Sequence, residues 1–330
     1  MNPPPRVTVI VAARNAAATI EKCLAALGVQ GGVDFEVIVA DDGSGDDTRA
    51  MAASFDGVRV LELDWGGPAR ARNVGVRAAR GEIVAFTDAD CVPHPDWLRE
   101  LVRCFDDPDV AGAGGDQVSP EDETPFGRRV QEFFKAIGFM TDYIRSGASP
   151  GGIRETTHNP SCNSAYRKAV FEEVGGFSED QFPGEDVELD LKLRRLGHKL
   201  VYNPAAVVGH YRPRNCRALA SMMRRYGAGE RRLVEKHGFM RPLDFLPFLI
   251  LGGGFVPAAL IMMHPALWPL FFLPWIAALD LFWKRTSDLG LSLQYTLFLT
   301  IVTACWNWGF IRRGKGQPWV AGPHKERCTH

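Results

Sequence analysis

Five short apolar runs recur through the first third of the chain, and each stops at a turn. VTVIVA (7–12), EVIVA (36–40), VRVLEL (58–63), EIVAFT (82–87) and a weaker VAGAGG (110–115) are apolar or β-branched runs bounded by turn residues, which predicts buried strands. Between them Ile20, Cys23, Leu24 and Leu27 fall at i, i+3, i+4 and i+7, as do Leu98, Leu101, Val102 and Phe105. That spacing puts four apolar side chains on one helix face. Regular alternation of the two patterns predicts a mostly parallel sheet covered by helices on both faces. Ligands of such sheets gather beyond the carboxyl ends of the strands, and the polar clusters of this chain fall there.

The pattern changes after residue 115. GDQVSPEDETP reads as a loop, 126–143 as an amphipathic helix, and SGASPGGIRETTHNP as a flexible segment with two Gly-rich turns. A second ordered block follows, with a short helix at 168–174, a helix at 185–196 and a strand at 199–202. Residues 214–238 form a basic helical stretch carrying Arg214, Arg217, Arg224, Arg225, Arg231, Arg232 and Lys236. From Phe245 to Leu279 no residue is charged. This run exceeds the roughly 20 residues of one membrane span, and His264-Pro265 in its middle fits two short apolar helices joined by a turn. Leu289 to Ile311 is another uncharged run of spanning length. The division expected is an α/β domain over 1–213 whose pattern changes near 115. A basic amphipathic linker over 214–241 and membrane-associated helices with a tail over 242–330 complete it. A buried all-helical core is the other reading of the apolar region. Arg-rich segments flank that region on both sides, so positive-inside reasoning favours an even number of crossings or a hairpin that dips into the membrane.

Composition narrows the partners. The 330 residues carry a formal net charge of −1, which gives no reason to expect nucleic acid. Seven cysteines stand at 23, 91, 104, 162, 216, 305 and 328, with no C-x-x-C pair; that spacing speaks against a zinc site or a disulfide framework and fits a reducing compartment. The opening MNPPPRVTVIVAARN lacks the form of a signal peptide, so the first domain is expected to face the cytoplasm.

Chemistry concentrates in four places. The strand at 82–87 ends in Asp88-Ala89-Asp90. Residues i and i+2 of an extended chain share a face, so both carboxylates converge there, and Mg²⁺ or Mn²⁺ prefers such oxygens together with water and phosphate. Alone, the triplet fits a helix cap equally well. Asp41-Asp42-Gly43-Ser44 lies at the end of another strand, where an acid can accept from a base N–H or ribose hydroxyls; the alternative is an ordinary β-to-α turn. Gly66-Gly67-Pro68-Ala69-Arg70-Ala71-Arg72-Asn73 opens a helix whose N-terminus and guanidinium groups suit a phosphate, or is a surface helix with solvated charges. Gly184-Glu185-Asp186 begins the helix at 187–196, where an acid can serve as a general base or simply complement the helix dipole.

Taken in order, these segments resemble family 2 glycosyltransferases, inverting nucleotide-sugar enzymes of the GT-A fold. The resemblance rests on VTVIVAARNAAATIEKCLAAL, VIVADDGSGDDT, GGPARARNVGVRAARGEIVAFTDAD, CNSAYRKAVFEEVGGFSED and GEDVELDLKLRRLGHKLVYNP and covers about residues 6–212. It implies an α/β GT-A nucleotide-diphospho-sugar transferase fold, a mostly parallel sheet between helices, with C-terminal hydrophobic helices; the domain over 1–213 is then catalytic, with a nucleotide-sugar half over about 1–115 and an acceptor half over about 116–213. It also implies that Asp41 or Asp42 contacts base or ribose, with Ala12, Arg14 and Asn15 lining the same pocket, and that Arg72 lies near the nucleotide or its diphosphate. Asp88 and Asp90 form the D-x-D, Asp90 being the direct ligand of Mg²⁺ or Mn²⁺. Asp186 becomes the catalytic base with Glu185 beside it at the acceptor, and His210 a metal or phosphate contact, or a structural histidine.

The expected activity is transfer of one sugar from a UDP-, GDP- or dTDP-sugar to a hydroxyl of a lipid-linked or cell-envelope glycan, at the cytoplasmic face of the inner membrane. Processive relatives carry Q-x-x-R-W after the E-D helix, where this chain reads SMMRRYGAGERRL. Three other classes compete. Asp88-Ala89-Asp90-Cys91-Val92 fits the D-x-D-x-V of haloacid-dehalogenase-like phosphatases with Asp88 as nucleophile, although about four strands precede it here. A Rossmann dehydrogenase is disfavoured because Ala-Arg-Asn-Ala, not G-x-G-x-x-G, follows the first strand. A non-catalytic membrane scaffold is the third.

Overall fold

The computed structural model describes residues 5–138, 152–239, 264 and 272–312. They form two compact units. The first, over 5–123, 134–138 and 152–211, holds a nine-stranded sheet. Its strands are β1 (Val7–Ala13), β2 (Phe35–Asp42), β3 (Val58–Leu63), β4 (Ile83–Asp88), β5 (Cys91–Pro93), β6 (Val110–Val118), β7 (Arg154–Glu155), β8 (Asn163–Arg167) and β9 (Lys199–His210). The order across the sheet is β3-β2-β1-β4-β8-β6-β9-β5, with β7 pairing β9. β3, β2, β1 and β4 run parallel, β8 lies antiparallel between β4 and β6, and β6 is parallel to β9. The sheet is thus mostly parallel.

Period-two alternation gives each face of this sheet its own core. Val7, Val9 and Val11 of β1 pack on one side with Ile20, Cys23, Leu24 and Leu27 of α1 (Ile20–Gly28) and with Trp97, Leu98 and Leu101 of α4 (Trp97–Arg103). Ile10 points to the opposite side. There it meets Ala69 and Val76 of α3 (Pro68–Ala78), Phe171 of α6 (Lys168–Glu173), and Leu189 and Leu193 of α7 (Glu185–Arg195). Phe86 lies among Phe177 and Phe171, with ring centroids at 5.2 and 5.6 Å, an edge-on or tilted packing that suits aromatic quadrupoles. A short α2 (Thr48–Ala53) follows β2.

Three details differ from the expectation. β6 runs on to Val118, so Asp116 to Val118 belong to a strand rather than a loop. β9 is 12 residues long and reaches His210, against an expected end at 202. The segment Asn163–Arg167, with three polar residues in five, is a strand because its neighbours β4 and β6 both offer unpaired edges.

The second unit comprises 124–133, 212–239 and 272–312 among the described residues. Residues 124–133 include the start of α5 (Pro125–Ile137). α8 (Cys216–His237) is capped by Asn215, whose side chain accepts from the Ala218 amide at 2.9 Å, a typical N-cap bond. α9 is Leu273–Thr286, and α10 is Leu289–Ile311, capped by Asp288. An added Cβ on Gly227 of α8 would lie 2.0 Å from the Trp306 carbonyl oxygen, and one on Gly309 of α10 2.0 Å from that of Arg224. Only glycine allows two helix backbones to approach this closely. Phe126, Phe133, Phe282, Tyr295 and Phe298 close a ring cluster, with Phe133 and Phe298 centroids 5.6 Å apart. Most of the expected pair of helices around His264-Pro265 lies outside the described residues, as do 146–151 of the segment expected to be flexible; its remainder, 152–160, is ordered, carrying β7 and the buried Thr156, His158 and Asn159.

Candidate active site

Parallel strands that end together bring their last residues side by side. Ala12 of β1 is in register with Ala40 of β2 and with Asp88 of β4, and Ala13 with Asp41. Ala12, Asp41, Asp42 and Asp88 therefore share one end of the sheet, with Arg14 and Asn15 in the turn after β1. Asn15 adopts φ 48°, and its side-chain carbonyl accepts from the Gly45 amide at 2.8 Å. The Ser44 hydroxyl accepts from the Asn15 amide at 3.0 Å and donates to Asp41. The guanidinium of Arg14 stacks over Trp65 at 4.4 Å.

Asp42 is almost wholly buried and accepts from the Gly66 and Gly67 amides at 2.7 and 2.9 Å. Burial raises its pKa, against those two amides and the charges of Arg14 and Arg70. It ties the end of β2 to the turn that starts α3. Gly67 holds φ 94°, a left-handed conformation that disfavours other residues there.

That turn aims Arg72 inward, so the solvated-helix reading of this residue does not hold. Arg72 is only 4% exposed. Its Nη2 donates to Asp88 Oδ1 at 2.6 Å and its Nη1 to Glu185 Oε1 at 2.8 Å. One guanidinium thus joins the end of β4 to the first turn of α7. Burial works against its charge, but Asp88 and Glu185 outweigh that and hold its pKa above the ordinary value. For Glu185, burial and the adjacent Asp186 charge prevail over Arg72, and its pKa is pushed up to about 7.

Asp186 is half-buried. Its Oδ2 accepts from the Ser161 amide at 3.0 Å and its Oδ1 from the Val187 amide at 2.8 Å. One turn further along α7, Asp190 is fully buried and accepts from His158 Nδ1, the Asn159 amide and the Tyr166 hydroxyl at 2.9, 2.7 and 2.8 Å. It anchors α7 to the segment before β8 and so fixes where Asp186 stands. Gly184, at φ 102°, precedes the helix, and Glu185, Asp186 and Glu188 occupy its first turn, where the dipole favours acids.

Asp90 has a half-exposed side chain, with Oδ1 3.8 Å from His210 Nε2. β5 follows immediately and pairs antiparallel with the end of β9, setting Cys91 opposite His210. His210 Nδ1 lies 3.0 Å from Gln117 Oε1 and 3.7 Å from Cys162 Sγ. The Asp90 carboxylate and this imidazole, with Asp88 two residues earlier in the chain, are of donor types that suit a divalent cation with open positions for water and phosphate, although Asp88 Oδ1 is itself bonded to Arg72. Among the described residues, however, the metal-capable donors that lie within 4.8 Å of one another belong to Cys91, Cys162 and His210.

Sequence reasoning missed several of these parts. Gly66 and Gly67 act through backbone amides, Ser161 likewise, and Asp190 and His158 stand 32 residues apart. The two cysteines carry no spacing signal; the structure assembles in space what the sequence scatters.

Comparison with known proteins bears on the family and the fold. The glycosyl transferase family 2 model matches residues 8–175. A pre-mycofactocin glycosyltransferase of Mycobacterium tuberculosis is 32% identical over 252 residues, covering 75% of this chain and 50% of that protein. Glycosyltransferase AglE of Haloferax volcanii is 30% identical over 233 residues, covering 68% of this chain and 73% of that one. The chain thus spans about half the length of the mycobacterial relative. A mannosyltransferase of Pyrobaculum calidifontis, solved with GDP-mannose and Mn²⁺, shares the fold with a TM-score of 0.58 at 23% identity, over 93% of this chain and 86% of that one. Neither a phosphatase nor a scaffold reading finds support in these matches. From its ordered strand ends, its buried arginine bridge and these relatives, the chain belongs to glycosyltransferase family 2.

Proposed function

We propose that this protein is an inverting glycosyltransferase that moves a single sugar from a nucleotide-diphosphate donor to a hydroxyl acceptor, a lipid-linked or cell-envelope glycan. One observation carries the reading: Arg72 bridges Asp88 of the D-x-D turn and Glu185 of the E-D helix. This bridge couples the end that suits a diphosphate to the end that suits an acceptor base. Ala12, Arg14, Asn15, Asp41 and Asp42 line the nucleoside side, Asp42 acting through the Gly66-Gly67 turn that it holds.

Asp186 is the base. Two amides orient its carboxylate, so that it takes the acceptor proton as the new bond forms. Glu185, locked to Arg72, positions that turn of α7 rather than accepting the proton. Attack from the face opposite the leaving group inverts the anomeric carbon. Asp90, His210 and Asp88 are the residues that would hold Mg²⁺ or Mn²⁺, which when bound offsets the charge of the departing diphosphate; the GDP-mannose and Mn²⁺ of the archaeal structure support that choice.

Membrane attachment rests on the second unit. Among the described residues one helix, Leu289–Ile311, is long and apolar enough to cross a membrane, with a mean hydropathy of 1.4. Leu273, Ile276, Leu289 and Trp308 present exposed side chains, and the exposed arginines of α8 suit anionic headgroups. The catalytic unit then faces the cytoplasm, at the inner membrane.

The test is a donor screen on purified full chain with UDP-, GDP- and dTDP-sugars and either cation, reading thermal shift and nucleotide release. One donor should give a metal-dependent shift in wild type and in Asp186→Asn, with nucleotide release lost in Asp186→Asn by about 10²-fold or more. Undiminished release from Asp186→Asn would remove the base from this role, and no metal-dependent response to any donor would sink the whole reading.

A further inference from the structure

We infer that Cys91, Cys162 and His210 form a second cation site, built for a thiophilic divalent ion such as Zn²⁺. The three residues come from separate parts of the first unit. Cys91 opens β5, Cys162 directly precedes β8, and His210 closes β9. The β5–β9 ladder sets Cys91 and His210 opposite each other, and the three donor atoms lie within 4.8 Å of one another. Cys162 Sγ and His210 Nδ1 are 3.7 Å apart. Tetrahedral zinc, with Zn–S about 2.3 Å and Zn–N about 2.0–2.1 Å, places a nitrogen and a sulfur ligand about 3.5 Å apart. The Cys162–His210 separation is close to that value, and the remaining donors lie within 4.8 Å.

Ligand type and surroundings point the same way. Two sulfurs and one imidazole select a soft or borderline ion over Mg²⁺ or Mn²⁺. Cys91 and Cys162 are 0% and 5% exposed, so the site is sheltered, and Gln117 Oε1 sits 3.0 Å from the same imidazole nitrogen as a candidate fourth donor. On binding, both thiols release their protons to solvent and Nδ1 presents its lone pair to the ion. A neutral imidazole has one lone pair, so with Nδ1 on this ion Nε2 carries the proton and faces Asp90, and Mg²⁺ or Mn²⁺ is then left to the carboxylates of Asp88 and Asp90. Any control of sugar transfer through His210 rests on the function proposed above; the binding of the ion itself does not.

The experiment uses the full chain, reduced with a non-chelating phosphine, and Co²⁺ as a spectroscopic stand-in for zinc. One equivalent should give a thiolate-to-cobalt charge-transfer band that Zn²⁺ bleaches. The band should persist in Asp90→Asn, whereas affinity should fall at least about tenfold in Cys91→Ser and in Cys162→Ser, the minimum for losing even an outer partner of a metal. If either serine variant fails to fold, zinc-edge X-ray absorption on the wild type decides, with two sulfur neighbours near 2.3 Å expected. No charge-transfer band, a band unchanged in both serine variants, or a purely nitrogen and oxygen shell would overturn the proposal. Neither readout needs donor or acceptor, so a failed glycosyltransferase assignment leaves it standing.

Discussion

The first unit turns its large apolar side chains inward and its acids toward one end of a sheet; the second leaves many of its largest apolar side chains facing outward. Val9, Ile10 and Phe86 are fully buried in the first, whereas Ile276 and Trp308 of the second are 58% and 56% exposed. Polar groups are used in opposite ways as well. In the first unit Asp42, Arg72, Glu185 and Asp190 are buried and bonded to one another or to amides. In the second, Glu230 and Arg212 are buried, but other charge sits on the surface, as in the Lys284–Asp280 pair, whose side chains are 69% and 56% exposed. Buried charge fixes geometry at a cost in solvation, while surface charge adjusts solubility and contributes little to stability.

The sharpest way to break this contrast is Arg72→Met. It leaves Asp88 and Glu185 without their shared cation, and should cost about 3–5 kcal/mol and abolish turnover; thermal melting and nucleotide release measure both. A loss under about 1 kcal/mol would place the bridge outside the stabilising network. Next comes Asp190→Asn, which weakens three buried hydrogen bonds and should cost about 2–3 kcal/mol. Its activity should fall through a displaced Asp186, seen as lower kcat with little change in donor KM.

In the second unit the comparable step is steric. Gly309→Ala forces apart α8 and α10 and should cost about 1–3 kcal/mol, read as faster proteolysis within 212–312. Donor-induced shifts of the first unit should stay as they were.

A pH series sharpens the comparison further. Glu185 has its pKa raised by burial to about 7 in the folded chain, so between about 4.5 and 7 the folded state holds a proton that the unfolded state has lost. Its contribution is complete below that window and disappears as pH rises through it. The stability of wild type relative to Glu185→Gln should therefore shrink from pH 5 to pH 8; growth of that difference would contradict the buried-acid picture. The smallest effect belongs to Lys284→Ala, expected to change stability by under about 0.5 kcal/mol.

Much of the first unit was legible because strands buried on both faces read as continuous apolar runs, and helices with i, i+4 faces declare themselves locally. Asp88-Ala89-Asp90 and Glu185-Asp186 were legible for the same reason, each marking the end of an element. What escaped depends on distant partners. β8 is a strand because β4 and β6 have edges for it, not because Asn163–Arg167 prefers one. Arg72 shows in the sequence only as a guanidinium near a helix start, and nothing there reveals that Asp88 and Glu185 occupy its two arms. Cys91, Cys162 and His210 are far apart in the chain and meet only where β5 and β9 pair. The glycine contact of α8 and α10 is equally silent, since Gly227 and Gly309 carry no side chain to form a pattern.

The ring cluster of the second unit bears on how the chain is made. Phe126 and Phe133 pack on Phe282, Tyr295 and Phe298, which leave the ribosome roughly 150 residues later. At about 5–20 residues per second that is a delay on the order of 10–30 s. Throughout it, an apolar stripe on the nascent chain has no native partner. A holding factor or early contact with lipid is the natural shelter for such a stripe, and expression without either should favour aggregation over misplaced chemistry.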